Sequence, residues 1–464
     1  MNRITIGEIV KAVDGTLLQE GEKRYIEGVR QDSRECETGD LFVAIIGENL
    51  DGHRYVNQAV QNGCSALLIS DDRCVTDAVK ASGVSVIAVD DTVYALGELA
   101  GYYLESLNVK KIAVTGSVGK TSVRDMIYYV LSEKYNCGRN IKNYNNLIGL
   151  PLSIFLFDSN TEAVVLEMGM DRFGEIDRMA EIVKPDIAVI TNIGMAHIEN
   201  LGSRQGIFQA KMEISEHIRK HNGEEGVLIF ADDGEFLTKK TTSGDYRQVS
   251  VGKDGKSDYI ISAVEDYGVE GIQYTLEHCH KNYRIKVPVP GIHNAVNSSI
   301  AVAAGEILGV SLDQAQSGLN KVKLTGSRLK LIDGKTVRII DDTYNASPDS
   351  VKSAVKVLAG SKCNGKKVAV LGDMFELGDE SERQHFGVGV FAASQDIDVL
   401  VAVGKDASEI AKGASGGKLR IMYYEEKDGF IKDMNNVINS GDLILVKGSR
   451  GMKMEQVVEE LLNY

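Results

Sequence analysis

Residues 110–135 read KKIAVTGSVGKTSVRDMIYYVLSEKY. The first six form a nearly continuous apolar run, the pattern of a strand buried on both faces. From Lys120 the period changes, and Val123, Met126, Ile127, Val130 and Leu131 fall on one helical stripe. Between strand and helix lies Val114-Thr115-Gly116-Ser117-Val118-Gly119-Lys120-Thr121-Ser122. Its glycines let backbone N–H groups converge on an anion, and the helix N-terminus adds partial positive charge. In that setting Lys120 suits the β and γ phosphates of a nucleotide, and Thr121 offers a hydroxyl to Mg²⁺. The run departs from the common G-x-x-x-x-G-K-[ST] form, because Val114 stands where that form has Gly. A plain Gly-rich turn would explain the glycines but not Gly-Lys-Thr after a buried strand.

The strand–helix alternation continues on both sides. EAVVLEMG (162–169), DIAVITNIG (186–194) and GVLIFADD (226–233) are three more apolar strands, with helix-like EIDRMAEIVKP between the first two. This predicts a parallel sheet covered by helices on both faces. Residues 245–290 turn to polar-alternating runs such as YRIKVPV, which predict antiparallel edge strands. HNAVNSSIAVAAGEILG (293–309) reads as a helix. Before residue 108, LFVAIIG (41–47), SALLIS (65–70) and VSVIAVD (84–90) alternate with helical stretches. After about Lys330 the strands VRIIDD, KKVAVLGD, DVLVAVG, LRIMYY and DLILVKGS form a complete Rossmann-like pattern. The expected domains are therefore 1–108, 109–326 and 327–464.

Ligands of open α/β sheets bind beyond the C-terminal strand ends, so the polar residues there are candidates. Glu167 directly follows a buried strand; it either shares a metal with Thr121 or caps the next turn. His197 follows the next strand as a ligand or an ordinary surface histidine, and Lys211 lies further on in QAKMEI. Asn294 and Asn297 share a helical face and suit an adenine edge, or simply a helix start. Asp341-Asp342-Thr343-Tyr344-Asn345-Ala346-Ser347-Pro348-Asp349 offers two carboxylates for a ribose, or a helix beginning at Ser347-Pro348.

Composition narrows the class. The 464 residues fit about three domains of roughly 150 residues. With 43% hydrophobic and 25% charged residues, the chain is an ordinary folded protein and not a disordered one. A net charge of −14 argues against nucleic acid and anionic membranes as partners. No apolar run approaches the ~20 residues of a membrane helix, and MNRITIGEIVKAVDG lacks a signal-peptide core. Six scattered cysteines without CxxC fit reduced thiols in the cytoplasm. The expectation is a cytoplasmic monomer.

Taken together, TGSVGKTS, EMGMD, TNIGMAHIENLGS, AKMEI, HNAVNS, SRLK and DDTYNASPDS resemble, in order, the ATP-dependent Mur ligases of peptidoglycan synthesis. YNNLIGLPL (144–152), YNASPDSV (344–351), LGDMFELGDESERQHFGVG (371–389) and VKGSRGMKMEQ (446–456) are similar to the member that joins D-alanyl-D-alanine to a UDP-N-acetylmuramoyl-tripeptide. DSRECETGDLFVAIIGENLDGHRY (32–55) fits as well. The resemblance implies an α/β architecture of three domains: a UDP-substrate domain, a central phosphate-loop ATPase and a C-terminal Rossmann-like domain. It implies that Thr115 to Ser122 hold ATP, with Lys120 and Thr121 on phosphates and Mg²⁺. Glu167 would share that Mg²⁺ and His197 bind a second. Lys211 matches a lysine that is carbamylated in several members. Asn294 and Asn297 would contact adenine, Asp342 the ribose and Arg328 the γ-phosphate. Ser33 and Arg34 would lie in the UDP pocket, Asn145 and Asn146 near the muramoyl-peptide, and Asn345 and Ser347 near the dipeptide. The implied chemistry is amide formation through an acyl phosphate.

The rival readings lack their signatures. A diamino-acid-adding Mur ligase carries an acidic-Asn-Pro-Arg run, but the corresponding region here is NASPDS. A folylpolyglutamate-type synthetase shares the fold class and is separated by acceptor choice. A nucleotide-switch GTPase needs Asn-Lys-x-Asp, whereas Asn320-Lys321-Val322-Lys323 lacks the Asp.

Overall fold

The computed structural model of the chain describes residues 1–464 apart from 48, 142, 196, 197 and 221–224. The strand read from the opening motif, Lys110–Thr115, sits inside a nine-stranded sheet. Ile112 and Val114 pack with Met126, Ile127 and Val130 of helix Lys120–Leu131, while Ala113 faces a second cluster containing Val183 and Ile190. Both faces of the strand are buried, which is why its sequence is apolar at consecutive positions and does not alternate. Ala163–Glu167 and Ile187–Ile190 flank it in parallel, with Glu167 opposite Val114 and Ile190 opposite Thr115. Their C-terminal ends are therefore level, and the polar residues that follow them meet at one rim.

Val227–Ala231 and Cys137–Arg139 extend the sheet in parallel on either side. Residues 245–290 form the expected antiparallel edge only in part. Arg247–Gly252 pairs parallel with Val227–Ala231, and Tyr259–Asp266 begins parallel to Arg247–Gly252. Only from Tyr259–Asp266 through Ile272–His278 to Lys281–Val287 is the pairing antiparallel. The polar alternation there reflects a sheet half-covered by helix Asn294–Ile307, which covers one face of the meander and leaves Arg284 and Lys286 exposed on the other.

A five-stranded sheet precedes this unit and a six-stranded sheet follows it. In the first, Gly28–Arg30, Asp40–Val43, Ala66–Ile69 and Ser85–Ala88 are parallel, and Thr16–Gln19 adds antiparallel. In the last, Arg338–Asp341, Leu443–Lys447, Lys367–Gly372, Val399–Val403 and Arg420–Tyr424 are parallel. Lys330–Asp333 adds an antiparallel edge directly after the SRL of the SRLK motif. Edge strands of this kind are short and partly exposed, so they carry no continuous apolar signal.

Residue 108 lies between helix Thr92–Ser106 and strand Lys110–Thr115, and residue 326 between helix Leu312–Asn320 and strand Lys330–Asp333. Helix Thr92–Ser106 packs its apolar face against the central unit, and Tyr103 donates to the Phe157 carbonyl at 2.7 Å. No helix among the described residues is long and apolar enough to cross a membrane.

Candidate active site

The phosphate loop is built by two glycines in backbone conformations that other residues avoid. Gly116 has φ +146° and Gly119 φ +84°. A Cβ on Gly116 would lie 1.9 Å from Thr191 Oγ1, so the loop reaches the neighbouring strand end only with glycine there. Thr191 donates to the Val118 carbonyl at 2.6 Å. Asn192 Oδ1 accepts from the Ser117 and Val118 amides at 3.1 and 2.9 Å, and Gly194 N donates to Ser117 Oγ. The TNIG run thus braces the loop from the side. Nothing in the local sequence marks Asn192 for this role. Its place next to a glycine loop becomes visible only from sheet order.

Lys120 opens the helix, and its Nζ donates to the Gly116 carbonyl at 2.7 Å and the Ser117 carbonyl at 3.3 Å. Burial lowers its pKa; Glu167 opposes that shift and Arg328 adds to it. Thr121 Oγ1 donates to Glu167 Oε2 at 2.7 Å. The same carboxylate accepts from Asn145 Nδ2 at 2.8 Å and faces the Arg124 guanidinium at 3.3 Å. Glu167 is 2% exposed, so these partners are what permit a charge at the end of a buried strand. Arg124 itself is fully buried and donates to Asp125, which also pairs with Arg139 and accepts the Thr325 amide.

Lys211, on helix Arg204–Met212, is 1% exposed. Burial, with Lys120 nearby, pushes its amine well below the usual lysine range. A neutral amine is nucleophilic and reacts with carbon dioxide, whereas the ammonium form does not.

The C-terminal sheet closes over this rim and leaves a cavity of ≈ 790 Å³. Arg328 places its guanidinium 3.7 Å over the Tyr344 ring and donates to the Thr325 carbonyl. Asp342 pairs with Lys447 at 2.7 Å and accepts the Leu329 amide. Lys447 also donates to the Asn345 carbonyl at 2.8 Å. On the central side, Asn294 donates to the Pro290 carbonyl and Asn297 donates to Asn294 Oδ1. A Cβ on Gly119 would come 3.3 Å from Asn297 Oδ1, which puts that amide against the phosphate loop. His293 joins the lining; burial, with Lys447 nearby, pushes its imidazole down to about 4, so it is neutral at physiological pH.

The Mur ligase middle domain matches residues 114–305, the Mur ligase glutamate ligase domain residues 327–450, and the catalytic domain of the Mur ligase family residues 25–103. The chain belongs to the Mur ligase family. A UDP-N-acetylmuramoyl-tripeptide–D-alanyl-D-alanine ligase of Bacillus subtilis (strain 168) is 40% identical over 466 residues, covering 100% of this chain and 99% of that one. A crystal structure of MurF from Acinetobacter baumannii superposes with a TM-score of 0.91 at 31% identity, covering 100% of both chains. The MurF ligase of Thermotoga maritima in complex with ADP has a TM-score of 0.81 at 28% identity, covering 94% of this chain and 97% of that one.

In this Mur ligase the cavity gathers Ser117, Val118, Gly119, Lys120, Thr121, Ser122, Asn145, Asn146, Glu167, Asn294, Asn297, Arg328, Asp342, Asn345 and Ser347. Thr115 and Gly116 shape the loop from behind it; the Thr115 hydroxyl donates to the Met168 carbonyl. Lys211 is buried outside the cavity lining, and His197 lies outside the described residues. Asn145 and Asn146 also make contacts within the fold. Asn145 sits on Glu167, beside the carboxylate expected to share the metal. Asn146 Oδ1 accepts the Gly149 amide at the start of helix Gly149–Ile154. Ser33 donates to Gln58 and Arg34 pairs with Asp32; neither lines the cavity. Lys447 was missed although it ends the buried strand DLILVK as Glu167 ends its own, which is the signal that would have found it.

Proposed function

We propose that this Mur ligase joins D-alanyl-D-alanine to UDP-N-acetylmuramoyl-tripeptide, with ATP converted to ADP and phosphate. The observation that carries the reading is full-length similarity to the ligase of that name from B. subtilis. The domain roles follow: residues 1–108 for the UDP moiety, with Ser33 and Arg34 as contacts, 109–326 for ATP and 327–464 for the acceptor.

The tripeptide's terminal carboxylate attacks the γ-phosphorus, ADP leaves, and an acyl phosphate forms. Two anions must approach each other, so cations at the reacting centre lower the barrier. Lys120 stands on the phosphate side and Arg328 reaches in from the C-terminal sheet. The amine of the dipeptide then attacks the acyl carbon and phosphate departs. Asn294 and Asn297 are placed for the adenine, Asp342 with Lys447 for the ribose, and Asn345 and Ser347 toward the acceptor. Enclosure between two domains keeps water from the acyl phosphate.

Thr121 Oγ1 and Glu167 Oε2 are hard oxygen donors 2.7 Å apart. Mg²⁺ keeps waters and takes phosphate oxygens, so it needs only one or two protein ligands, and this donor set fits it. When bound it would neutralise phosphate charge. His197 is the candidate for a second ion.

Lys211 is read here as a carbamate, formed by its neutral amine and carbon dioxide with release of one proton. Intact-protein mass spectra recorded with bicarbonate should show one added carbon dioxide, absent in Lys211→Ala. Short carboxylic acids should restore part of the activity of that variant. An unmodified mass with full activity overturns the carbamate.

The function itself is tested by phosphate release with ATP, Mg²⁺ and UDP-N-acetylmuramoyl-tripeptide. Release should require D-alanyl-D-alanine, and neither glutamate nor single amino acids should replace it. Release with glutamate alone would overturn the reading.

A further inference from the structure

Two of the sequence runs that set this chain apart within its family meet at one wall of the cavity. LGDMFELGDE leaves the C-terminal end of strand Lys367–Gly372, and VKGSRGMKME that of strand Leu443–Lys447. The two strands pair in parallel, with Leu371 opposite Lys447, so both runs begin at the same level. They are then tied together. Ser449 N donates to the Asp373 carbonyl at 3.0 Å, and Phe375 N donates to Ser449 Oγ at 2.8 Å. Met374 N donates to His385 Nε2 at 2.9 Å, which pins the loop from behind. The Phe375 ring lies on the backbone of Gly451, where a Cβ would come 2.8 Å from its Cε2. That ring is 48% exposed, an apolar surface beside the cavity.

Four cations line the cavity among the described residues: Lys120, Arg328, Lys447 and Arg450. Three are committed. Lys120 belongs to the phosphate loop and donates to its carbonyls. Arg328 is stacked on Tyr344 and tied to Thr325. Lys447 is buried in its pair with Asp342. Arg450 remains. Its side chain is 67% exposed, and its ion pair is to Glu455 at 3.6 Å, longer than a hydrogen bond. A planar guanidinium of this kind binds carboxylates through two parallel N–H donors.

We infer that Arg450 reads the terminal carboxylate of the acceptor dipeptide, with the Phe375 ring against its methyl groups. The inference rests on the proposed acceptor: D-alanyl-D-alanine presents one amine to the acyl phosphate and one carboxylate at its far end. The amine must point toward Lys120 and Arg328, so the carboxylate points away from them, to the wall that holds Arg450. A single anchoring cation also sets the acceptor's direction, because the reversed dipeptide would place its carboxylate against the acyl phosphate.

The test compares D-alanyl-D-alanine with its C-terminal amide as acceptors for the full-length enzyme. The wild type should show a KM at least ~10-fold higher for the amide, since a charge-assisted hydrogen bond is lost. Arg450→Ala should raise the KM for the dipeptide by roughly 10–100-fold, the range expected for such bonds. It should leave the KM for ATP unchanged and bring acid and amide level. Arg450→Lys should recover part of the preference. The inference is overturned if the wild type uses the amide as well as the acid, a measurement that needs no variant, or if Arg450→Ala keeps the wild-type ratio. Failure of the underlying reading looks different: the wild type would release no phosphate in response to the dipeptide.

Discussion

Lys120→Ala should lower kcat by about 10³-fold while shifting the melting temperature by no more than about 4 °C. The kinetic expectation follows from chemistry. The first step brings a carboxylate onto a phosphate, and removing one preorganised cation from such a centre is among the costliest single changes an active site can undergo. The stability expectation follows from geometry. The amine folds back onto the Gly116 and Ser117 carbonyls. Losing those bonds costs about 1 kcal/mol, because each is a modest net contributor and the amine is already partly desolvated. The loop keeps its shape through Asn192 and Thr191, which do not depend on Lys120. Thermal unfolding and single-turnover phosphate release measure the two halves separately. A variant that unfolds globally would make Lys120 a structural residue.

Arg124→Met should destabilise the protein by about 3–5 kcal/mol, the range for removing one partner of a buried ion pair. Arg124 is 0% exposed, and so is Asp125, to which it donates at 2.6 Å. It also faces Glu167 at 3.3 Å, so one guanidinium serves two buried carboxylates. Arg139 remains for Asp125 at 2.8 Å, while Glu167 keeps its hydrogen bonds from Thr121 and Asn145 and loses the guanidinium. Arg124→Lys keeps the charge and loses the fork, so it should recover only part of the stability. Urea denaturation of both variants checks this. A stability change under ~1 kcal/mol would show that the carboxylates are satisfied without Arg124.

Arg124 also illustrates where sequence reading stops. The stripe Val123, Met126, Ile127, Val130 and Leu131 correctly turns one face of its helix toward the sheet. The Arg-Asp pair beside that stripe is buried as well, which no local period shows. The helix is covered on its outer side by helices Asn294–Ile307 and Leu312–Asn320, which are far away in sequence.

The sequence by itself determined the buried parallel strands, the phosphate loop and the family. Each rests on local physics: an unbroken apolar run means a strand covered on both faces, and glycines at 116 and 119 mean a loop whose backbone turns where other residues cannot. Glu167, Asn294, Asn297 and Asp342 stood out because they end strands or lie at a helix start, positions where a polar group is conspicuous, whereas Arg328 came only from the family resemblance. Tertiary structure alone decided what these groups touch. Asn192 braces the loop because its strand lies beside the loop strand in the sheet. Asn145 reaches Glu167 across 22 positions of chain. Lys447 meets Asp342, and Arg450 reaches the wall beside Phe375, because parallel strands bring their ends level whatever their separation in sequence. Side chains at such ends acquire partners only through strand order and domain packing, which no local period encodes.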